Sequence, residues 1–290
     1  ADYLQETRHW PKLYMPKVCL ISASCDASLA FVTYPIWHLK ILEQVSSGTS
    51  ALQAGRSILG RWGLRGLYRG ALFATLGLLP AHCAYICSYE WSKYHAGAWL
   101  PHALAPAVAA VFAETSYVGL AMPIEVLTVR TLTASPVLGG SRSSAALTTP
   151  VPADLVRLWR SGGLPSLYRG GLLSLASALP EAAIWWLVYE NCKVSMRQAK
   201  AGETLSWCCS AMTASLCSTV LVNPLDVLKT RAQAGSEARS WLPEGRPGPP
   251  EPRWLLFTRG LIPRLALAAV AGLPESGAYE VVMHFGRRAA

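Results

Sequence analysis

Pro224-Leu-Asp226-Val-Leu-Lys229-Thr-Arg231-Ala-Gln233 closes an apolar stretch of about 20 residues, long enough to cross a bilayer as a helix. Two other apolar stretches end alike, in Pro35-Ile-Trp37-His-Leu-Lys40 and Pro123-Ile-Glu125-Val-Leu-Thr128-Val-Arg130. After a connector, each is followed by a triplet: Tyr68-Arg69-Gly70, Tyr168-Arg169-Gly170 and Thr258-Arg259-Gly260. Each triplet opens another apolar span. Nineteen residues past each glycine stands Tyr-Glu, at Tyr89-Glu90, Tyr189-Glu190 and Tyr279-Glu280. Identical spacing in three copies marks an internal repeat.

The spacing predicts spans over 14–34, 71–93, 102–122, 171–193, 204–223 and 261–283. The fold class is therefore an all-α membrane protein, with six transmembrane helices in three two-helix repeats. The repeats cover 1–100, 101–200 and 201–290 and form one domain. Helices are required because backbone groups cannot stay unpaired in lipid. The connectors differ. Residues 133–152 are rich in Ser, Thr, Pro and Gly, and 154–160 suit a short amphipathic surface helix. Leu242–Pro252 carries too many prolines for such a helix.

Composition agrees. Of 290 residues, 52% are hydrophobic and 15% charged, against about 25% charged in soluble proteins. The net charge of +9 fits nucleic acid, anionic lipid or an anionic solute. Arg56, Arg61, Arg65 and Arg69 sit between apolar spans, which favours lipid headgroups. No zinc finger or basic helix run speaks for nucleic acid, which is not an expected partner. The eight cysteines form no CxxC pair and lie in or beside apolar spans, so no metal site or disulfide framework is expected. The polar stretch from Ala1 to Lys17 does not read as a secretory signal. No nucleophile–base pair, metal spacing or phosphate loop points to an enzyme.

A proline inside a helix removes a backbone bond and kinks it. Three kinked helices can converge at one end of a barrel. There, an acid and a base three residues apart on each helix can pair around the ring and hold that end shut.

These motifs resemble the mitochondrial carrier family, whose repeat reads Px[DE]xx[KR]x[KR], a connector, then an aromatic–basic–Gly triplet, with [FY][DE]xx[KR] on the even helices. Pro224 to Gln233 fits without substitution. The resemblance implies a six-helix barrel in the inner mitochondrial membrane that opens alternately to the matrix and to the opposite side. It pairs the acid of one repeat with the base of the next. Glu125 then joins Lys229 and Asp226 joins Lys40 in a matrix-side gate, while Trp37 and Thr128 replace both partners of the third pair. At the opposite end Glu90 pairs with Lys193 and Glu280 with Lys93, and Glu190 faces Met283.

The resemblance places solute contacts seven or eight residues past each triplet glycine, at Gly77-Leu78, Ser177-Ala178 and Leu267-Ala268. None is charged, which argues against nucleotides, phosphate and di- or tricarboxylates. The same faces carry Glu181 and Glu275, which either bind a cationic or proton-coupled solute or satisfy backbone groups freed by Pro180 and Pro274. Asp26 and Glu114 stand nine residues before the motif prolines, where Ser215 stands in the third repeat. His82 reads as a packed histidine. Arg69-Gly70, Arg169-Gly170 and Arg259-Gly260 open helices whose free N–H groups suit a phosphate, and the resemblance assigns cardiolipin there. No other cofactor is expected.

Departures are spread over all three repeats: Leu42 for a motif base, Val270 for an even-helix proline, and the lost third connector helix. They point to an accessory or structural subunit of a larger inner-membrane assembly, such as a respiratory complex or ATP synthase. The alternative is an active transporter of a small neutral, cationic or proton-coupled metabolite.

Overall fold

The structure is a computed structural model and describes residues 14–46, 50–99, 105–133, 160, 162–199, 202–234 and 254–271. Among the described residues the secondary structure is all helical. The described helices include α1 (Met15–Val45), α2 (Ala51–Leu67), α3 (Ala71–Trp99), α4 (Ala105–Thr133), α5 (Gly171–Gln198), α6 (Glu203–Ala234), α7 (Leu255–Thr258) and α8 (Leu261–Ala271). Five of these, α1, α3, α4, α5 and α6, are long and apolar enough to cross a membrane. Of the sixth expected span, 261–271 is helical and the remainder, with Glu275, Glu280 and Met283, lies outside the described residues.

The order of packing around the barrel is α1 on α3, α3 on α4, α4 on α5 and α5 on α6. Helices α1, α4 and α6 also touch one another pairwise. These three bear the proline motifs, so their ends converge.

The sequence reading ends the odd spans at 34, 122 and 223, just before each motif proline. The helices instead run on through Pro35, Pro123 and Pro224 to Val45, Thr133 and Ala234. Proline bends a helix without having to end it when neighbouring groups hold the bend. The residue before the proline does this in two repeats. Tyr34 donates its hydroxyl to the Arg69 carbonyl at 2.6 Å. Asn223 Nδ2 donates to the carbonyls of Phe257 at 3.0 Å and Arg259 at 3.2 Å. Each proline bend is thereby tied to the triplet of its own repeat. In the second repeat Met122 takes that place, and Ser174 Oγ lies 3.3 Å from its sulfur.

Each triplet glycine has a left-handed backbone, with φ of 78° at Gly70, 85° at Gly170 and 65° at Gly260. That conformation is routine only for glycine. It turns the chain from the connector into the even helix. Two residues further on, Leu72, Leu172 and Ile262 are 67%, 83% and 78% exposed. Large apolar side chains that face outward at matching positions form a lipid-facing surface.

The first connector holds a helix that the sequence reading did not name. Ser50 and Gln53 form a reciprocal capping box at the start of α2, and Gly63 kinks it at φ 63°. Its apolar face, Ala54 and Ile58, packs with Leu67 around Leu42, which is fully buried. Leu42 replaces a motif base and anchors the connector instead. The surface helix expected at 154–160 falls outside the described residues except for Arg160, and Leu242–Pro252 lies outside them altogether.

Candidate functional site

Where α1, α4 and α6 converge, the motif charges meet. Lys40 Nζ lies 2.7 Å from Asp226 Oδ2, and Lys229 Nζ lies 3.0 Å from Glu125 Oε2. The pairs join α1 to α6 and α4 to α6. All four side chains are at least four-fifths buried. Buried ion pairs hold well only when further hydrogen bonds satisfy the remaining lone pairs. Two glutamines supply them, each four residues past a motif lysine. Gln44 Nε2 donates to Asp226 Oδ2 at 2.8 Å, and Thr230 donates to the Gln44 amide oxygen at 2.8 Å. Gln233 Nε2 donates to Glu125 Oε2 at 3.0 Å.

The third seam, between α1 and α4, has neither charge nor glutamine. Trp37 and Thr128 occupy the pair positions and Leu132 the glutamine position. Trp37 instead packs against a buried cluster of Ile41, Val45, Val129, Leu132 and Ala234. Thr128 turns its hydroxyl to the Ile124 carbonyl of its own helix at 2.7 Å. The pair and its brace are lost together, and apolar burial replaces both. No lone charge is left in the seam.

The second motif bases seal the same end. Arg231 Nε donates to the Gln44 carbonyl at 2.9 Å, and Arg130 Nε donates to the Gln233 carbonyl at 3.2 Å. Each ties one helix to the C-terminal carbonyls of the next, which have no partner within their own helix. Arg259 of the third triplet joins them by donating to the Ser46 carbonyl.

At the opposite end, Lys93 stands over the Tyr89 ring at 5.3 Å and Lys193 over the Tyr189 ring at 5.1 Å. Lys193 also lies 3.3 Å from the Tyr189 hydroxyl. Glu90 is buried at 1% exposure. Glu280 is outside the described residues, as is the side chain of Glu190.

Between the two ends, acids and aromatic side chains meet at the helix seams. Asp26 accepts a hydrogen bond from Ser22 at 2.9 Å and faces His82 Nδ1 across the α1–α3 seam at 3.8 Å. Glu114 of α4 is half-buried. Tyr85 and Tyr117 meet edge to face at 6.5 Å, His82 meets Tyr117 at 5.2 Å, and Trp185 stacks on Tyr189 at 4.9 Å. Trp185 Nε1 donates to Ser215 Oγ at 3.1 Å, so the third repeat uses its small residue as an acceptor where the other two carry acids.

The residues expected to touch solute divide. Gly77 lies against the motif residue Ile124, and a Cβ there would sit 2.9 Å from Ile124 Cγ2. Its small size serves helix packing. Ser177 is buried at 5% and donates to the Ser174 carbonyl at 2.9 Å. Leu267 is half-buried on α8.

Glu181 is the expected acid that the structure places in a charged network. Its partner is Arg264, which the sequence reading did not single out. Arg264 Nη2 reaches both Glu181 oxygens at 2.8 Å, while Nη1 lies 3.6 Å from Asp226 Oδ2. Arg264 therefore links Glu181 to the Lys40–Asp226 pair. The signal was in the repeat: four residues past the triplet glycine, the other copies have Ala74 and Ser174.

A family model described as mitochondrial carrier protein matches residues 11–97 and 100–200. The chain belongs to the mitochondrial carrier family. It is thus a multi-pass protein of the inner mitochondrial membrane. This mitochondrial carrier is 26% identical over 250 residues to solute carrier family 25 member 44 of Homo sapiens, covering 77% of this chain and 76% of that one. It is 28% identical over 250 residues to the mitochondrial S-adenosylmethionine carrier protein of Danio rerio, covering 80% and 86%. To the mitoferrin of Dictyostelium discoideum it is 21% identical over 284 residues, covering 85% and 86%.

Proposed function

We propose that this chain is a working solute carrier whose solute bears a positively charged group. The observation that carries this reading is the set of interior acids, Asp26, Glu114 and Glu181, among Tyr85, Tyr117 and Trp185 and next to an end closed by two ion pairs. Ionisable residues inside a membrane span are costly and mark solute pathways. Aromatic faces beside them add cation–π attraction. The relatives named as carriers, one of them for S-adenosylmethionine, favour transport over the accessory-subunit role expected from the scattered departures. Two of the departures have local uses in the fold: Leu42 anchors α2, and Trp37 fills an apolar seam.

Lys40–Asp226 and Glu125–Lys229 act as the matrix-side gate, and the two glutamines brace it. Glu90, Lys93, Lys193 and Glu280 act at the other end. Cardiolipin headgroups occupy the helix starts at Arg69-Gly70 and Arg169-Gly170. In the third triplet Arg259 also donates to the Ser46 carbonyl.

The test is uptake by purified protein in cardiolipin-containing liposomes, against a panel of cationic, zwitterionic, neutral and anionic metabolites. Uptake confined to solutes with a cationic group, and lowered about tenfold or more by Glu181→Gln, is the expected outcome. Absence of uptake for every class, with the native protein running inside a large complex on a non-denaturing gel, would restore the subunit reading.

A further inference from the structure

The way Arg264 is used is unusual. Its side chain is 8% exposed, yet its two terminal nitrogens do not share one carboxylate. Nη2 alone takes both Glu181 oxygens at 2.8 Å. Among the described residues Nη1 is buried without a hydrogen-bond partner, and Asp226 Oδ2 lies 3.6 Å away. That oxygen already receives Lys40 at 2.7 Å and Gln44 at 2.8 Å. A guanidinium prefers to grip a carboxylate with a parallel pair of N–H bonds. Here the fork is half engaged, and buried donors left unpaired in this way call for an explanation.

Glu181 is the more open partner, with 36% of its side chain exposed. Arg264 is the more buried of the two, and its other nitrogen points toward Asp226. A cation alone could neutralise Glu181, but it would strip Arg264 of its best contact and leave that buried charge facing Lys40 and Asp226. A solute carrying both charges avoids the loss. Its cationic group takes Glu181, and its carboxylate takes the fork of Arg264, including Nη1.

Resting on the carrier reading above, we propose that Glu181 and Arg264 form a split receptor for a zwitterionic head group, an ammonium and a carboxylate held close together as in an α-amino acid. In the solute-free state the two residues act as each other's stand-in ligands. Arg264 is then the residue that separates amino acids from simple amines.

The experiment compares uptake of a panel of α-amino acids, each beside its decarboxylated amine, by the full chain in liposomes. The wild type is expected to take up at least one amino acid about tenfold or more faster than the matching amine, because a site built to hold a polar group rejects the analogue that lacks it. Arg264→Gln should bring that ratio to about one by losing the amino acid and not the amine, as its donor fork is gone. Arg264→Lys, which keeps the charge without the fork, should give an intermediate ratio, and the thermal midpoint of each variant shows that it is folded. Wild-type uptake of amines as fast as amino acids, or an unchanged ratio in a folded Arg264→Gln, overturns the split receptor and leaves the cation carrier standing. Uptake of neither set overturns both.

Discussion

Asp226→Asn is expected to unfold the closed end of the barrel more than any other single substitution. Asp226 Oδ2 is the acceptor for Lys40 at 2.7 Å and Gln44 at 2.8 Å, and it lies 3.6 Å from Arg264. Asparagine keeps the shape and removes the charge, leaving Lys40 and Arg264 facing each other in a site closed to water. Breaking a buried pair by neutralising one partner costs about 3–5 kcal/mol. The thermal midpoint in detergent with added cardiolipin should fall markedly. The double variant Lys40→Met with Asp226→Leu should recover part of the loss, because no lone carboxylate or ammonium remains at those two positions. An unchanged midpoint in Asp226→Asn would mean that the pair contributes nothing to this state.

Gly260→Ala is the second large expected effect. At φ 65° an alanine is strained by about 1–2 kcal/mol. The new Cβ would also lie 2.5 Å from Gln44 Cγ. Gln44 is fully buried, so it can give way only by abandoning Asp226 and Thr230. Losing a hydrogen bond to a charged group removes about 1.5–3 kcal/mol more. The comparison is Gly60→Ala, where nothing lies within 4 Å of the added methyl. Gly260→Ala should lower the midpoint clearly and Gly60→Ala should not. Equal midpoints would separate the triplet glycine from the gate brace.

These effects also explain which parts of the architecture could be read from the sequence. The positions of Lys40, Glu125, Asp226 and Lys229 follow from a spacing repeated three times, and charges that must meet at one ring leave a strict pattern. The joint loss at Trp37 and Thr128 was visible for the same reason, because a lone charge there would be costly. Helix ends were less legible. A proline marks where a helix bends, and whether it stops depends on partners such as Arg69 and Arg259 that are distant in sequence. The α2 helix was within reach of a local reading, since Ser50 and Gln53 form a capping box three residues apart. Gln44 and Gln233 stand four residues past each motif lysine, yet glutamine is uncharged and nothing in the sequence marks its amide as a partner of the acids. Arg264 was missed because the expected solute positions lie further along the helix. Its importance comes from Glu181, which is 83 residues away in the chain. Gly77, in the region of the helix where solute contact is expected, packs closely on Ile124, a neighbour that the repeat spacing does not reveal.

The central claim, that an ionic ring shuts one end of a working carrier, is tested most directly by charge reversal at Glu125 and Lys229. This pair lies at 3.0 Å. Uptake of the best solute should fall about tenfold or more in Glu125→Lys and in Lys229→Glu, because like charges in a buried ring cannot close it. It should return in large part when the two substitutions are combined. Wild-type uptake in both single variants, or a double variant no better than the worse single, would contradict the account.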